Sequence, residues 1–201
     1  MHKHRQYPFR VPRNAAGIRA QEPRAAGGRS WWAVEWTRHL EAMGMKARLG
    51  RGKNYALSGQ VVSLRIERSA RQSCRAVAAV LGMRPDPYAV TLDFRPLSPE
   101  AKARVVAALR EDPMLVARLL AGDLPLEVAR LFRREGFDLF PGGKLGPRQY
   151  DVTISCTCPD YANPCKHAAA ALVLLGEEID REPLRLLEFR GISTGELCDE
   201  D

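Results

Sequence analysis

An α+β fold, with a small antiparallel sheet, short helices and a C-terminal segment built round a metal, follows from three features of the sequence. Two stretches alternate apolar and polar residues with a period of two, the mark of half-buried strands. Around them lie segments whose apolar residues recur every three to four positions and whose ends carry helix caps and stops. Near the C-terminus, "CTCPDYANPCKH" packs three of the five cysteines and one of the four histidines into residues 156–167.

At 201 residues the chain is long enough for one ordinary domain or two small ones. With 45% hydrophobic and 27% charged residues, its composition excludes a disordered or membrane-embedded chain. The longest apolar run, "AAAALVLLG" at 168–176, is about half of the roughly 20 residues needed to cross a bilayer. The basic N-terminus has no apolar stretch behind it and does not read as a secretory signal. A cytoplasmic location is therefore expected, where thiols stay reduced and clustered cysteines favour metal over disulfides. Charge is uneven: residues 1–75 hold 16 Lys and Arg against 4 acids, and residues 76–201 hold 15 against 20. Such asymmetry points to a polyanionic partner, nucleic acid being the commonest; a basic tail that only aids solubility is the competing reading.

Residues 1–29, rich in Arg, Ala, Gly and Pro and without hydrophobic period, read as a flexible basic arm. The next unit, 30–97, opens with Ser30 as a cap for the helix "WWAVEWTRHLEAM", in which Trp32, Trp36, Leu40 and Met43 share a face and Gly44 supplies the stop. Tryptophans at helical spacing pack a core more often than they stack on bases. His39 on this helix, without an evident partner, is expected to face solvent. From 48, "RLGRGKNYALSGQ" reads as a glycine-rich lead into a strand that turns Val62, Leu64 and Ile66 to one side. "SCRAVAAVLGM" fits both periods, but its shortness and the following "RPDP" turn favour a central strand. "YAVTLDFR" then places Tyr88, Val90, Leu92 and Phe94 on one face. In 98–147, Ser98 opens a helix to about Arg110, and "DPMLVARLLAG" and "LPLEVARLFRREG" give two more helices stopped by glycine. Residues 148–191 hold the cysteine cluster and the helix after it, and 192–201 form an acidic tail.

The cluster offers Cys156, Cys158, Cys165 and His167 in the spacing C-x-C-x6-C-x-H. If the strand "QYDVTIS" continues to Cys158, Cys156 and Cys158 lie on one side about 7 Å apart at Cα, a separation that suits two sulfurs at about 2.3 Å from one ion. Pro159 ends the strand and "PDYANP" bends the chain back. Positions two apart on a helix differ by about 200°, so Cys165 and His167 must sit at or before the first turn of the helix running through "AAAALVLLGEEI". A redox dithiol prefers C-x-x-C and leaves two ligands surplus; a disulfide loop conflicts with the compartment. One structural Zn2+ per chain is the most economical assignment, and four protein ligands leave no position for water or substrate. Asp160 and Lys166 read as surface groups or as supports to the ligands.

The spacing resembles a SWIM-type zinc finger, C-x-C-x(n)-C-x-H followed by a helix. "CTCPDYANPCKHAAAALVLL" is also similar to the form in bacterial members, where C-x-C-P-D-x-x-N-P-C-K-H runs into an alanine-rich helix. The finger covers about residues 148–176. A weaker likeness in "WWAVEW", "GRGKNYALSGQV" and "EFRG" extends it to 31–191, with Lys53 and Asn54 set among those residues. The resemblance implies a ββα finger that binds DNA or protein, and a helicase-like remodelling ATPase as partner. The chain has no phosphate-cradling G-x-x-x-x-G-K-[ST] of its own.

Three functions compete. A non-catalytic nucleic-acid-binding module, DNA ahead of RNA, would set Arg48, Arg51, Lys53, Arg65 and Arg68 on phosphates. A protein-interaction scaffold would dock a helicase without touching nucleic acid, with the apolar "LRLLEF" at 184–189 as its contact. An enzyme finds no support in a Ser-His-Asp set, paired carboxylates or an open metal site, and neither a small-molecule substrate nor a membrane is expected.

Overall fold

The computed structural model describes residues 16–21, 30–68, 74–142, 144–146 and 149–198, with backbone only at 68, 144–146 and 149. Helix α1 (Trp31–Leu40) starts where Ser30 Oγ accepts the Ala33 N–H at 3.2 Å. The helix widens over Glu41–Met45 and breaks at Gly44, whose φ of 79° is open to glycine at little cost. It resumes at once as α2 (Lys46–Leu57). Gly44 is thus the expected stop, but the stretch from 48 is helix rather than a lead into a strand. Gly50 and Gly52 lower its helical propensity, and tertiary packing overrides them. A Cβ at Gly52 would lie 2.5 Å from the carbonyl carbon of Ala169, so only glycine lets α2 approach the C-terminal helix this closely.

The chain then forms β1 (Val61–Arg68), β2 (Cys74–Val80), β3 (Tyr88–Phe94), α3 (Pro99–Arg110), α4 (Pro113–Leu120) and α5 (Leu126–Arg134). A small ribbon of β4 (Lys144–Gly146) and β5 (Gln149–Tyr150) leads to β6 (Val152–Cys156), α6 (Lys166–Arg181), α7 (Leu184–Phe189) and a 3-10 turn at Gly195–Leu197. The main sheet is antiparallel in the order β1-β2-β3-β6, so the strand leading into the cysteine cluster completes it. Its inner face buries Ala76, Ala78 and Val80, then Tyr88, Val90, Leu92 and Phe94, then Val152 and Ile154. The central strand and the face of β3 are as the sequence predicts. On β1 a bulge between Val61 and Ser63 shifts the alternation. Val61 is buried, Leu64 and Ile66 pack against the core, and Val62, expected beside them, is 45% exposed.

Helix α6 packs on the sheet and against α1 and α2, with Ala168 to Leu172 wholly buried. The tryptophans of α1 grip this assembly rather than facing outward. Trp36, 2% exposed, donates Nε1–H to Leu172 O at 3.3 Å, and Trp32 donates to Ile179 O at 3.1 Å. Gly176 makes room: a Cβ there would meet Trp36 Cδ1 at 2.7 Å. His39 is half-buried, not solvent-facing; it stacks on Phe140 at 5.3 Å, and burial followed by the Arg38 charge lowers its pKa. Helices α3, α4 and α5 bury Val105, Leu109, Leu119, Val128 and Phe132, and end at Glu111 or at Gly122 and Gly136, both with positive φ. Within the N-terminal arm, residues 16–21 lie beside β1, with Gly17 N donating to Gly59 O (2.9 Å) and Ile18 N to Val61 O (2.7 Å). The rest of that arm, like the end of the acidic tail, lies outside the described residues. No helix among the described residues is long and apolar enough to cross a membrane.

Gly52→Val is expected to destabilise the protein by about 3 kcal/mol, the upper end for overpacking, because the clash is with backbone that cannot rotate away. Urea unfolding checks this; an unchanged midpoint would mean that α2 and α6 are not in this close contact.

Candidate metal centre

The cluster is assembled from the sheet on one side and a helix start on the other. Strand β6 pairs with β3 so that Cys156, its last residue, lies opposite Val90. The strand stops there, two residues before the expected end. Thr157 takes over the edge, its N–H donating to Ala89 O and its Oγ1 accepting the Ala89 N–H, each at 3.0 Å. Cys158 therefore leaves the strand on a bend held against β3. The loop that follows is tied down at three points: Asp160 Oδ1 accepts Ala162 N–H (3.1 Å), Asn163 Nδ2 donates to Ile154 O (2.8 Å), and Arg48 Nη1 donates to Pro164 O (3.0 Å). The Asn163–Pro164 peptide is cis.

Cys165 is the N-cap of α6, in extended conformation, and its Sγ accepts the Ala168 N–H at 3.5 Å. His167 is in the first helical turn, so both ligands obey the helical-angle constraint. The four ligand atoms lie within 4.8 Å of one another. A tetrahedron with bonds of about 2.3 Å has edges of about 3.8 Å, and Cys165 Sγ stands 3.7 Å from His167 Nδ1. Three thiols and an imidazole at this spacing fit a tetrahedral metal ion, and all five cysteines are free.

Electrostatics favour one thiolate even without a metal. The Cys156 thiol donates to Cys165, which, with His167 and the Ala168 N–H, holds Cys165 well below the usual thiol range. The same shared proton, together with burial, pushes Cys156 up; burial leads the upward shift of Cys158. The imidazole is held between Tyr88 (4.7 Å between centroids) and Tyr55 (5.5 Å). Its Nε2 is buried without a hydrogen-bond partner among the described residues, and a Cβ at Gly82 would come within 2.8 Å of it. Gly82, Tyr55, Tyr88, Thr157 and Asn163 are not site residues by motif reasoning, since each acts through the fold; Tyr88's inward-facing position was legible, and Tyr55 and Asn163 stand in the stretches that carry the family likeness.

The fold brings the four ligands together and spreads the five basic residues. Arg48 braces the finger loop through Pro164 O. Arg51 is exposed on α2. Lys53, also exposed, borders a groove of about 330 Å³ with Trp36, Leu172 and Gly176, beside the later turns of α6. Arg65 is exposed on the edge strand, 3.5 Å from Glu67. Arg68 ends β1 with its side chain outside the description. Lys166 lies over the Tyr55 ring, Nζ 5.1 Å from the centroid, and Asp160 orders the loop.

Residues 148–176 match the family model of the SWIM zinc finger. The chain carries a SWIM-type zinc finger. Over 175 residues it is 35% identical to the uncharacterized protein Rv2102 of Mycobacterium tuberculosis, a match covering 87% of this chain. The chain spans 60% of the length of that curated relative. No solved structure matches it. In this SWIM finger Arg48, from outside the motif, holds the carbonyl of Pro164, the residue before Cys165. Arg48→Met is expected to weaken metal retention about tenfold, as loss of groups that orient ligands does. Competition with a chromophoric chelator measures it, and an unchanged affinity would show that the loop keeps its shape without Arg48.

Proposed function

We propose that the chain is a non-catalytic module, holding one structural Zn2+ and binding nucleic acid, DNA ahead of RNA, in the cytoplasm. The carrying observation is the closed Cys3His set at Cys156, Cys158, Cys165 and His167. Four protein ligands fill a tetrahedral ion, so the metal shapes the chain and activates no water. The cationic N-terminal half supports the choice of partner, with Arg51, Lys53 and Arg65 exposed to meet phosphates. A helicase-like ATPase as working partner rests on the SWIM resemblance. The scaffold alternative draws less support, because Leu186, Leu187 and Phe189 of its proposed contact are buried.

Fluorescence anisotropy with labelled DNA tests the reading. With about four phosphate contacts, affinity should fall about a hundredfold for a fourfold rise in salt. A flat salt response, or no binding at low salt, would exclude it.

A further inference from the structure

The sequence between Cys158 and Cys165 carries one aromatic residue, and the fold leaves it wholly outside. Tyr161 has a relative exposure of 105%, against 71% for Met114, the next most exposed large apolar side chain among the described residues. It makes no ring contact, hydrogen bond or ion pair among the described residues. Yet the loop that carries it is tied down, by Asp160 Oδ1 on Ala162 N–H, by Asn163 Nδ2 on Ile154 O, and by Arg48 on Pro164 O. An aromatic ring displayed on a rigid loop binds without the cost of ordering that loop, and tyrosine itself has only two torsions to fix. Tyr161 also borders a recess of about 240 Å³ that Ser155, Asp160, Asn163 and the three clustered cysteines line with it.

Cations border the finger from three elements. Arg51 is exposed on α2, one helical turn beyond Arg48. Lys166, between two ligands, lies over Tyr55, and Arg84, after β2, lies with its Cζ 5.8 Å from the Tyr88 centroid; both tyrosines touch His167. A projecting ring on a finger bordered by cations is a combination suited to single strands, with bases stacked on the ring and phosphates on the charges. In a duplex every base is already stacked between neighbours, so a lone loop-borne ring reaches an unpaired base far more readily.

We propose that Tyr161 is a stacking platform for an unpaired base of single-stranded nucleic acid, with Arg51, Lys166 and Arg84 taking neighbouring phosphates. This rests on the nucleic-acid reading above and specifies its contact. The test is anisotropy with labelled oligothymidine and with a labelled duplex, using the full chain and Tyr161→Ala, Tyr161→Phe and Tyr161→Trp. Tyr161→Ala should weaken single-strand binding about tenfold or more, and Phe and Trp should restore it, since stacking needs a ring and no hydroxyl. Duplex affinity should stay within about twofold. The Trp variant should add an exposed emission that the single strand quenches. Metal content and melting temperature should not change, because the side chain supports nothing in the fold. If the native chain binds neither nucleic acid, the functional reading falls and this proposal with it. If it binds both, and Tyr161→Ala binds the single strand as tightly, only this proposal falls, and the ring belongs to a protein contact. Equal losses on single strand and duplex would also overturn it.

Discussion

Removal of the metal, by a chelator or by Cys165→Ser, is expected to unfold the C-terminal half of the protein rather than to loosen one loop. Cys165 is at once one of the four candidate ligands and the N-cap of α6. That helix is packed on the sheet, on α1 and on α2, with the alanines of its first turns fully buried. Cys156 ends the strand that completes the sheet. An ion at this point therefore joins the edge of the sheet to the start of the central helix. Structural zinc contributes about 10–16 kcal/mol of apparent binding energy in finger peptides, comparable with the whole stability of a domain, about 5–15 kcal/mol. Loss of even 5 kcal/mol would lower the melting temperature by about 10–20 °C for a chain of this size. Circular dichroism melts with and without chelator, beside elemental analysis, give the result. Metal-free protein that melts at the native temperature would sink the structural role. The same site fixes a pH dependence: Cys156 and Cys158 hold their protons tightly without metal, so metal retention weakens as pH falls and protons compete for sulfur.

The parts of the fold that could be read from the chain are those where local pattern and final environment agree. Strand β3 shows its inner face in the alternation of residues, β2 reads as a strand from its shortness and the turn after it, and Ser98, Gly122 and Gly136 mark helix ends by chemistry that works within a few residues. The cluster was legible because a metal demands donor types at spacings that sequence displays directly, and the fold brings those four donors within 4.8 Å of one another. What was hidden depends on partners far along the chain. Gly52 looks like a helix breaker until Ala169 is placed against it, and Val62 looks inward until the bulge at Val61 is known. Arg48 is one more surface cation in the sequence, yet it is spent on a carbonyl 116 residues away. His39 gives no sign of Phe140, which arrives from the end of the helical segment.

Arg190→Ala should be the most damaging single change outside the metal ligands, costing about 3–5 kcal/mol, as breaking one side of a buried ion pair does. Arg190 is buried and lies 2.7 Å from Asp151 Oδ2, itself buried. Its remaining donors reach three carbonyls, Leu139 O at 3.2 Å, Arg95 O at 3.1 Å and Phe140 O at 2.9 Å. Asp151 in turn accepts the Gly142 N–H, and its own carbonyl accepts the Arg95 N–H at 2.8 Å. One guanidinium thus joins the end of α7 to the segments after β3 and after α5, and to the residue just before β6. Arg190→Lys should recover little, because a single ammonium cannot serve acceptors spread over the arginine fork. In Arg190→Met with Asp151→Asn, no buried carboxylate is left without its cation, so the loss should be smaller than the sum of the two single changes. Urea unfolding of both single variants and the double variant measures this coupling. A loss below about 1 kcal/mol for Arg190→Ala, or strict additivity in the cycle, would show that water reaches the pair and that β6 is held in place by its ladder alone.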